Sequence, residues 1–310
     1  MHVLKVLINS LFLSSLLWLT NCGVEHKPAV SETEPNQEID ISAWIDVKEG
    51  DIPIIISAPH GGTLMPEKIP DRSCPNITTV RDRNTTELAN DMGDQLYNKY
   101  GVRPYIVSAL ISRRKIDLNR GMQSATCGNS VGIEVWQEYH KQIESAITAT
   151  VEEFGKAIFI DLHGHGHSIQ RLELGYLLSK SELRASFDDE SIAVKHGAKS
   201  SFQNLLSSRD DVSFHDLMFA EDAFGTLMER SDFPSVPSLD DPYPYPNEAY
   251  FTGGYNTRRY TSEDYPNVFG MQIEANFEGV RDTDIHRMEF SKAFADAIMK
   301  MMHQYITDDI

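Results

Sequence analysis

The sequence predicts an α/β fold built on a largely parallel sheet. Short apolar, β-branched runs alternate with longer segments of helical spacing, and polar residues follow the apolar runs directly. Such alternation indicates parallel strands joined by helices, and sheets of this kind bind ligands beyond the carboxyl ends of their strands. With 310 residues, 41% apolar and 24% charged, the chain is globular in composition and long enough for one large domain.

Each predicted element rests on residue spacing and on the residues that bound it. Apolar runs predict buried strands over residues 52–57, 103–111, 157–162 and 268–273. Helical spacing predicts helices over residues 85–100, 131–154 and 284–305. In the first of these helices Leu88, Met92 and Leu96 recur every four residues, and Asn84 or Thr85 can cap its first turn.

The first 22 residues differ in kind from the rest of the chain. A weakly basic start, an apolar run and Cys22 after Leu19-Thr20-Asn21 resemble the signal of a bacterial lipoprotein. We expect a signal peptide over residues 1–21 and lipidation at Cys22. Residues 22–45, rich in Glu, Pro, Ser and Asn, then form a flexible tether. An ordinary cleaved signal and an uncleaved anchor are the alternatives.

Each of these alternatives places the remaining domain, residues 46–310, outside the cytoplasm. We expect it in the bacterial cell envelope, either periplasmic or on the surface, and in contact with the membrane only through the lipid anchor. Two cysteines, Cys74 and Cys127, remain in this domain. In an oxidising compartment they can form a disulfide, and two free thiols are the alternative.

The charge balance excludes one class of partner and indicates another. The chain carries 28 Lys and Arg against 46 Asp and Glu, a net charge of -18, whereas nucleic-acid binding needs a basic face. Against this acidic background, one loop after the second predicted strand is basic, and it contains Arg113, Arg114, Lys115 and Arg120. Arginine matches a carboxylate with two hydrogen bonds. We therefore expect a small anionic substrate, with Arg120 as the strongest candidate to bind it; the other three residues can equally balance nearby acids.

Two histidines, His60 and His163, each follow a predicted strand closely and stand beside a glycine. Catalytic zinc takes three protein ligands of the His and carboxylate type and leaves one position open for water. Because parallel strands end at one edge of a sheet, we expect both histidines to bind one Zn²⁺ ion there. Asp82 is the favoured third ligand, and Glu87 in the first turn of the following helix is the alternative.

Several short motifs resemble those of the N-formylglutamate amidohydrolases and occur in the same order. They are Ser57-Ala58-Pro59-His60-Gly61-Gly62, Asp82 ahead of Thr85-Thr86-Glu87-Leu88-Ala89, Asp117-Leu118-Asn119-Arg120, Asp161-Leu162-His163, Gly253-Gly254-Tyr255 and Gln272-Ile273-Glu274. The resemblance spans about residues 52–300, nearly the whole chain after the tether. Any one motif alone is weak, whereas the ordered set is specific.

The resemblance implies a single domain of the zinc carboxypeptidase-like, or phosphorylase/hydrolase-like, architecture. In it a mixed, largely parallel central sheet flanked by helices holds one Zn²⁺ ion at its strand ends. By this likeness His60, Asp82 and His163 match the metal ligands. The chain departs from the His-x-x-Glu pattern of carboxypeptidases, because Thr63 stands three residues after His60. This departure keeps Glu87 open as the third ligand.

The resemblance also implies the roles of the other polar residues. Glu274 matches the catalytic glutamate, which would act as general base for a metal-activated water, and Arg120 would stabilise the developing oxyanion. Asn119 matches a substrate-binding position, and Arg113 and Tyr255 are further candidates to bind substrate. A serine nucleophile is disfavoured, since the chain has no Gly-x-Ser-x-Gly motif.

The expected function is hydrolysis of an amide bond in a small anionic substrate, such as an N-formyl or N-acyl amino acid. An envelope carboxypeptidase or cell-wall peptide amidase is the first alternative, and it suits an exported protein. A non-catalytic, ligand-binding surface lipoprotein is the second. The joint presence of His60, His163, Arg120 and Glu274 argues against this second alternative.

Overall fold

The computed structural model describes residues 40–306. The predicted signal peptide, Cys22 and most of the predicted tether lie outside the described residues. At the start of the described range a 3₁₀ turn, Ile41–Trp44, leads directly into the first strand, Ile45–Lys48. No helix within residues 40–306 is both long and apolar enough to cross a membrane.

A seven-stranded mixed sheet forms the centre of the described chain. Its strands are β1 (Ile45–Lys48), β2 (Ile54–Ala58), β3 (Tyr105–Ala109), β4 (Ala157–Gly164), β5 (Leu172–Gly175), β6 (Ser235–Val236) and β7 (Val268–Ala275). Their order is β1-β3-β2-β4-β7-β5-β6. The central strands β3, β2, β4 and β7 run parallel, whereas β1 and β5 pair antiparallel with this core. The predicted α/β class with a mixed, largely parallel sheet is confirmed.

Helices cover both faces of this sheet. They are α1 (Thr85–Tyr100), α2 (Met122–Thr126), α3 (Ser130–Phe154), α4 (Lys180–Asp188), α5 (Glu190–Gly197), α6 (Gln203–Ser208), α7 (Phe214–Phe219), α8 (Phe224–Glu229), α9 (Tyr255–Tyr260) and α10 (Asp284–Tyr305). An irregular π-type turn, Phe277–Arg281, joins β7 to α10. Side-chain caps start the longest helices: Asn129 accepts a hydrogen bond from the backbone of α3, and Thr283 accepts one from α10.

Alternation along the strands divides the apolar core into two clusters, one on each face. In β2, Ile54 and Ile56 join the cluster formed with α1 and α10, while Ile55 joins the cluster formed with α3. A strand whose two faces are both buried reads as a continuous apolar run, which is why β2 and β4 are visible in the sequence. Helices on both faces leave the ends of the strands as the accessible edge for a ligand.

The predicted helices agree closely with the structure, and the predicted strands differ at their ends. Helices 85–100 and 284–305 have the predicted bounds, and the third begins one residue early. Strands β4 and β7 each extend two residues beyond the prediction, so that His163 and Glu274 lie within the strands. Because strand positions have fixed neighbours, these two side chains are held by the sheet rather than by a loop.

A disulfide joins Cys74 in the loop after β2 to Cys127 at the end of α2. The two cysteines are 53 positions apart in the sequence. The open alternative of two free thiols is therefore wrong in the structure. The closed loop contains Asp82 and the Asp117-Leu118-Asn119-Arg120 segment. The bond thus restrains two of the segments that carry candidate site residues.

We predict that the Cys74→Ser, Cys127→Ser double variant lowers the free energy of unfolding by about 4 kcal/mol, because the loop-closure entropy of a loop of this length returns to the unfolded chain. Denaturant titration of the variant and of the oxidised protein, both carrying Cys22→Ser, measures the difference. Alkylation of two free thiols in the denatured, unreduced protein would contradict the bond.

Candidate metal centre and active site

Three predicted ligands meet at the carboxyl edge of the parallel strands. His60 lies in the turn after β2, His163 lies near the end of the neighbouring β4, and Asp82 lies in the loop just before α1. All three are buried. A backbone hydrogen bond from Asp82 to the carbonyl of His60 and another from Gly164 to the Asp82 carboxylate tie the loop to both strand ends.

The ligand atoms form a nearly equilateral triangle. Nδ1 of His60 lies 3.1 Å from Nδ1 of His163, and each of these nitrogens lies 3.2 Å from Oδ2 of Asp82. Donor atoms around one tetrahedral zinc ion, at about 2.0–2.1 Å from the metal, are roughly 3.3 Å apart. The triangle therefore has the size that a single zinc ion requires.

The opposite nitrogens of both imidazoles face buried carboxylates. Nε2 of His60 lies 2.7 Å from Oδ1 of Asp117, and Nε2 of His163 lies 3.1 Å from Oδ2 of Asp161. A carboxylate oxygen accepts hydrogen bonds, so the contact with Asp117 favours the proton of His60 on Nε2. Nε2 of His163 faces both an acceptor, Oδ2 of Asp161, and a donor, Nδ2 of Asn119. Nδ1 of both rings and Oδ2 of Asp82 point at one another, an arrangement that either a proton on a ring or a metal cation satisfies. Metal-bound histidines commonly have carboxylate partners of this kind.

The pKa shifts of Asp82 and His163 favour the charged form of each residue. Burial alone would raise the pKa of Asp82, but the charge of His60 and hydrogen bonds from both histidines lower it well below its usual value. Burial likewise opposes the charged form of His163, yet Asp161 and Asp82 raise its pKa well above the usual value. A divalent cation bound in the triangle would supply positive charge next to Asp82.

The choice between Asp82 and Glu87 is decided by position. Asp82 lies outside the helix and turns its carboxylate toward both histidines, whereas Glu87 is exposed in the first turn of α1. Helical geometry accounts for this difference, because Glu87 is on the face of α1 opposite the buried Leu88 and Met92 side. Asp82 is therefore the carboxylate of the candidate metal centre.

Asp117 is surrounded by positive charge. Its Oδ2 lies 3.0 Å from Nε of Arg113, 3.7 Å from Nη2 of Arg72 and 3.9 Å from Nε of Arg120. Burial opposes ionisation, but His60 and the two closer arginines hold the pKa of Asp117 well below its usual value. The carboxylate that holds His60 is thus kept ionised by its own cationic neighbours.

Two of the four basic residues in this loop lie beside Asp117, and the other two pair with a different aspartate. Arg113 is largely buried, donates to Asp117 and also lies 3.5 Å from Asp82. The Arg120 side chain is 51% exposed, which leaves its guanidinium accessible to a ligand. Arg114 and Lys115 pair with Asp71 instead.

Glu274 occupies the position next to His163 in the sheet. The two residues are partners in the parallel register of β4 and β7, and Oε1 of Glu274 accepts a hydrogen bond of 2.9 Å from Nε2 of Gln272. Burial raises the pKa of Glu274 to about 8; Asp82 adds to this effect, whereas His163 opposes it. The carboxyl group is thus able to exchange a proton near neutral pH.

Asn119 contacts a candidate ligand directly, whereas Tyr255 contacts Arg259 and Trp136 instead. Nδ2 of Asn119 lies 3.0 Å from Nε2 of His163, and its Oδ1 accepts a hydrogen bond from the backbone of Asn256. Tyr255 begins α9, and its hydroxyl accepts from Arg259, while its ring packs near Trp136. The loop Gly253-Gly254 passes so close to Asn119 that a Cβ on Gly254 would lie 2.3 Å from Nδ2 of Asn119.

A second group of possible ligands lies nearby, formed by His165, His167 and Glu173. Here each acceptor already has a donor. The Glu173 carboxylate accepts from Nδ1 of His167 and from the backbone of Phe251, and Nδ1 of His165 accepts from the backbone of His167. Nε2 of His165 donates to the carbonyl of Arg171. This group is a hydrogen-bonded network in which Glu173 and Nδ1 of His165 already accept hydrogen bonds.

Sequence reasoning missed the residues that support the ligands. Asp117 and Asp161 each belong to a motif in which other residues were the predicted site residues. The position of Asp161, two residues before a histidine at a strand end, is a signal that could have identified it. Arg72 and Arg281 stand in loops without any motif. They reach the site only through the tertiary fold.

No family model and no curated protein sequence matches the chain. Among solved structures it is similar to the N-formylglutamate amidohydrolase from Ralstonia eutropha JMP134, with 13% identity over 85% of this chain and 98% of that chain and a TM-score of 0.52. The likeness confirms the fold that the motifs implied. A gene product from Agrobacterium tumefaciens is similar over 84% of this chain and 95% of that one, with 13% identity and a TM-score of 0.49.

We predict that Asp117→Asn weakens zinc binding by about 10–100-fold, because an amide no longer fixes the tautomer of His60 or raises its basicity. Competition with a chromophoric chelator measures the affinity. Asp296→Asn, which removes an exposed carboxylate paired with Lys99, is the matched control and should leave zinc affinity unchanged. Equal affinity of the two variants would contradict the role of Asp117.

Proposed function

We propose that the protein is a metal-dependent amidohydrolase that cleaves an amide bond in a small carboxylate-bearing substrate, such as an N-formyl or N-acyl amino acid. The observation that carries this proposal is the convergence of three acceptor atoms, Nδ1 of His60, Nδ1 of His163 and Oδ2 of Asp82. A glutamate stands directly beside them in the sheet. The likeness in fold to an N-formylglutamate amidohydrolase supports the same reaction class.

The donor set fits zinc better than a hard cation. Two imidazole nitrogens and one carboxylate oxygen are typical of catalytic zinc, whereas magnesium and calcium prefer oxygen ligands throughout. A zinc ion bound there would polarise a substrate carbonyl and lower the pKa of a water ligand to about 7. Three protein ligands leave further positions for those two groups.

Glu274 is the proton carrier in the proposed reaction. Gln272 holds Oε1 of Glu274 by a hydrogen bond, which leaves Oε2 to accept a proton from the attacking water and to deliver it to the leaving nitrogen. Burial favours the neutral acid after the first transfer, so the proton is retained on the carboxyl group until the nitrogen takes it. No covalent intermediate with the protein is needed.

Arg120 completes the site at its exposed side. Its guanidinium is accessible, and its position beside Asp117 brings positive charge within reach of the cleft. There it can bind the substrate carboxylate or stabilise negative charge that develops on the scissile oxygen. Asn119, one residue away, borders His163 and limits the space available to the substrate.

Export to the bacterial envelope is part of the proposal. The disulfide between Cys74 and Cys127 supports it, because such bonds persist in oxidising compartments and are rare in the cytoplasm. The apolar start of the chain and Cys22 are the sequence features that favour a lipid anchor. Mass spectrometry of the mature amino terminus tests this part directly: a diacylated Cys22 is expected, and an unprocessed Met1 would contradict it.

We predict that a chelator abolishes hydrolysis of N-formyl and N-acyl amino acids and that zinc restores it. A panel that includes short peptides separates the proposed reaction from the carboxypeptidase alternative, since only peptides with a free carboxyl terminus would be cleaved in the latter case. If the purified protein contains no metal and its activity resists chelation, both the amidohydrolase hypothesis and the carboxypeptidase hypothesis are contradicted.

We further predict that Glu274→Gln lowers kcat by about 10²–10⁴-fold, because the glutamine amide cannot carry the proton. Glutamine has nearly the same shape as glutamate, so the site is otherwise preserved. Zinc content, measured by atomic emission, should remain that of the unmodified protein. Glu138→Gln, on the solvent side of α3, is the control and should retain full activity. A fully active Glu274→Gln protein would overturn the assignment of the base.

A further inference from the structure

A buried arginine that takes no part in the proposed reaction connects three segments of the site. Arg281 ends the irregular turn between β7 and α10 and is 2% exposed. Its Nε donates to the carbonyl of Ala275 at 2.9 Å, its Nη2 donates to the carbonyl of His165 at 2.9 Å, and its Nη1 donates to the carbonyl of Arg83. One guanidinium thus binds the end of β7, the segment after β4 and the loop before α1.

Each of these carbonyls lies just beyond a residue of the candidate active site. Ala275 follows Glu274, Arg83 follows Asp82, and His165 stands two residues after His163. The planar guanidinium presents its donors in a fixed fork, so the distances between the three carbonyls are set by its covalent geometry. The spacing of the ligands and the base is therefore coupled to one side chain.

The chain leaves space for this contact at Gly164. A Cβ built on Gly164 would lie 2.2 Å from Cζ of Arg281 and 2.5 Å from its Nε. Real Cβ atoms do not approach so closely, so any larger residue at this position displaces the guanidinium. The contact therefore requires a glycine between His163 and His165, because the guanidinium occupies the space that a Cβ would fill.

The charge of Arg281 also acts on the site. Burial lowers the pKa of Arg281 to about 10, while Asp82 and Glu274 favour its charged form. By the same attraction it favours the ionised form of Glu274. The guanidinium therefore adds a positive charge that acts on both carboxylates.

We propose that Arg281 is a positioning residue that holds Asp82, His163 and Glu274 in their relative places by binding the backbone carbonyls that follow them. This inference rests on the proposed metal centre, since it concerns the same ligands. It makes the metal-binding geometry depend on a side chain that contacts neither the ion nor the substrate. A purely structural arginine would contribute to stability alone.

The ring nitrogen NMR signals of His60 and His163 in the metal-free protein test the positioning role without any need for activity. We expect Arg281→Ala to shift these signals, because both imidazoles lose their fixed relation to Asp82. Methylguanidinium at a concentration below denaturation should restore them in part. The control is Arg287→Met, which removes the ion pairs of Arg287 with Asp91 of α1 and Asp284 of α10 and should leave the ring signals in place.

Zinc affinity and the absorption spectrum of the cobalt-substituted protein provide a second readout. We expect Arg281→Ala to weaken zinc binding by about 10–100-fold and to change the cobalt spectrum, as is typical when an outer-shell partner is lost. Arg281→Lys should not restore affinity, because it keeps the charge without the fork. If the Arg281→Ala variant fails to fold, the Gly164→Ala variant takes its place in both measurements, because it displaces the same guanidinium.

Two results would overturn the proposal. In the first, Arg281→Ala loses thermal stability, but its ring signals and zinc affinity match those of the unmodified protein. In the second, Arg287→Met produces the same changes as Arg281→Ala. Absence of zinc binding by the unmodified protein would instead refute the proposed function, and the ring signals of the metal-free proteins would still decide the role of Arg281.

Discussion

The convergence of two imidazole nitrogens and one carboxylate oxygen is the constraint on which the rest of the structure depends. These three atoms lie 3.1–3.2 Å apart, a spacing that a shared proton or a shared metal cation accommodates. Asp117 and Asp161 orient the two rings through contacts with Nε2 of each, so that Nδ1 of each ring faces Asp82. The fold thus gathers three candidate ligand atoms at its sheet edge, at the spacing that a single metal ion would need.

The surrounding charges follow from that constraint. The chain as a whole is strongly acidic, yet the carboxylate of Asp117 is packed among arginines, and Arg281 lies behind Asp82 and Glu274. The arginines help to keep Asp117 ionised in a buried setting, where burial alone would raise its pKa, whereas burial still raises the pKa of Glu274 to about 8 despite Arg281. Arg120 is the most exposed of the three arginines around Asp117, and the proposed binding of an anionic substrate rests on this exposure.

Much of this arrangement is visible in the sequence, because buried parallel strands are continuous apolar runs and their polar ends mark the ligand edge. The short helices between residues 180 and 229 are not visible, since helices of six to nine residues show too few turns for a periodic pattern. The third ligand also needed coordinates: Asp82 and Glu87 differ in direction, not in chemistry. Arg281 binds backbone carbonyls of three separate segments, and such contacts leave no spacing pattern in the chain.

The most direct test of the account is a crystal structure of the zinc-treated protein with anomalous diffraction measured at the zinc edge. The account predicts one strong anomalous peak, bonded to Nδ1 of His60, Nδ1 of His163 and Oδ2 of Asp82, with Glu274 beside it. A peak at His165, His167 and Glu173 instead, or no peak at the strand ends, would contradict the account.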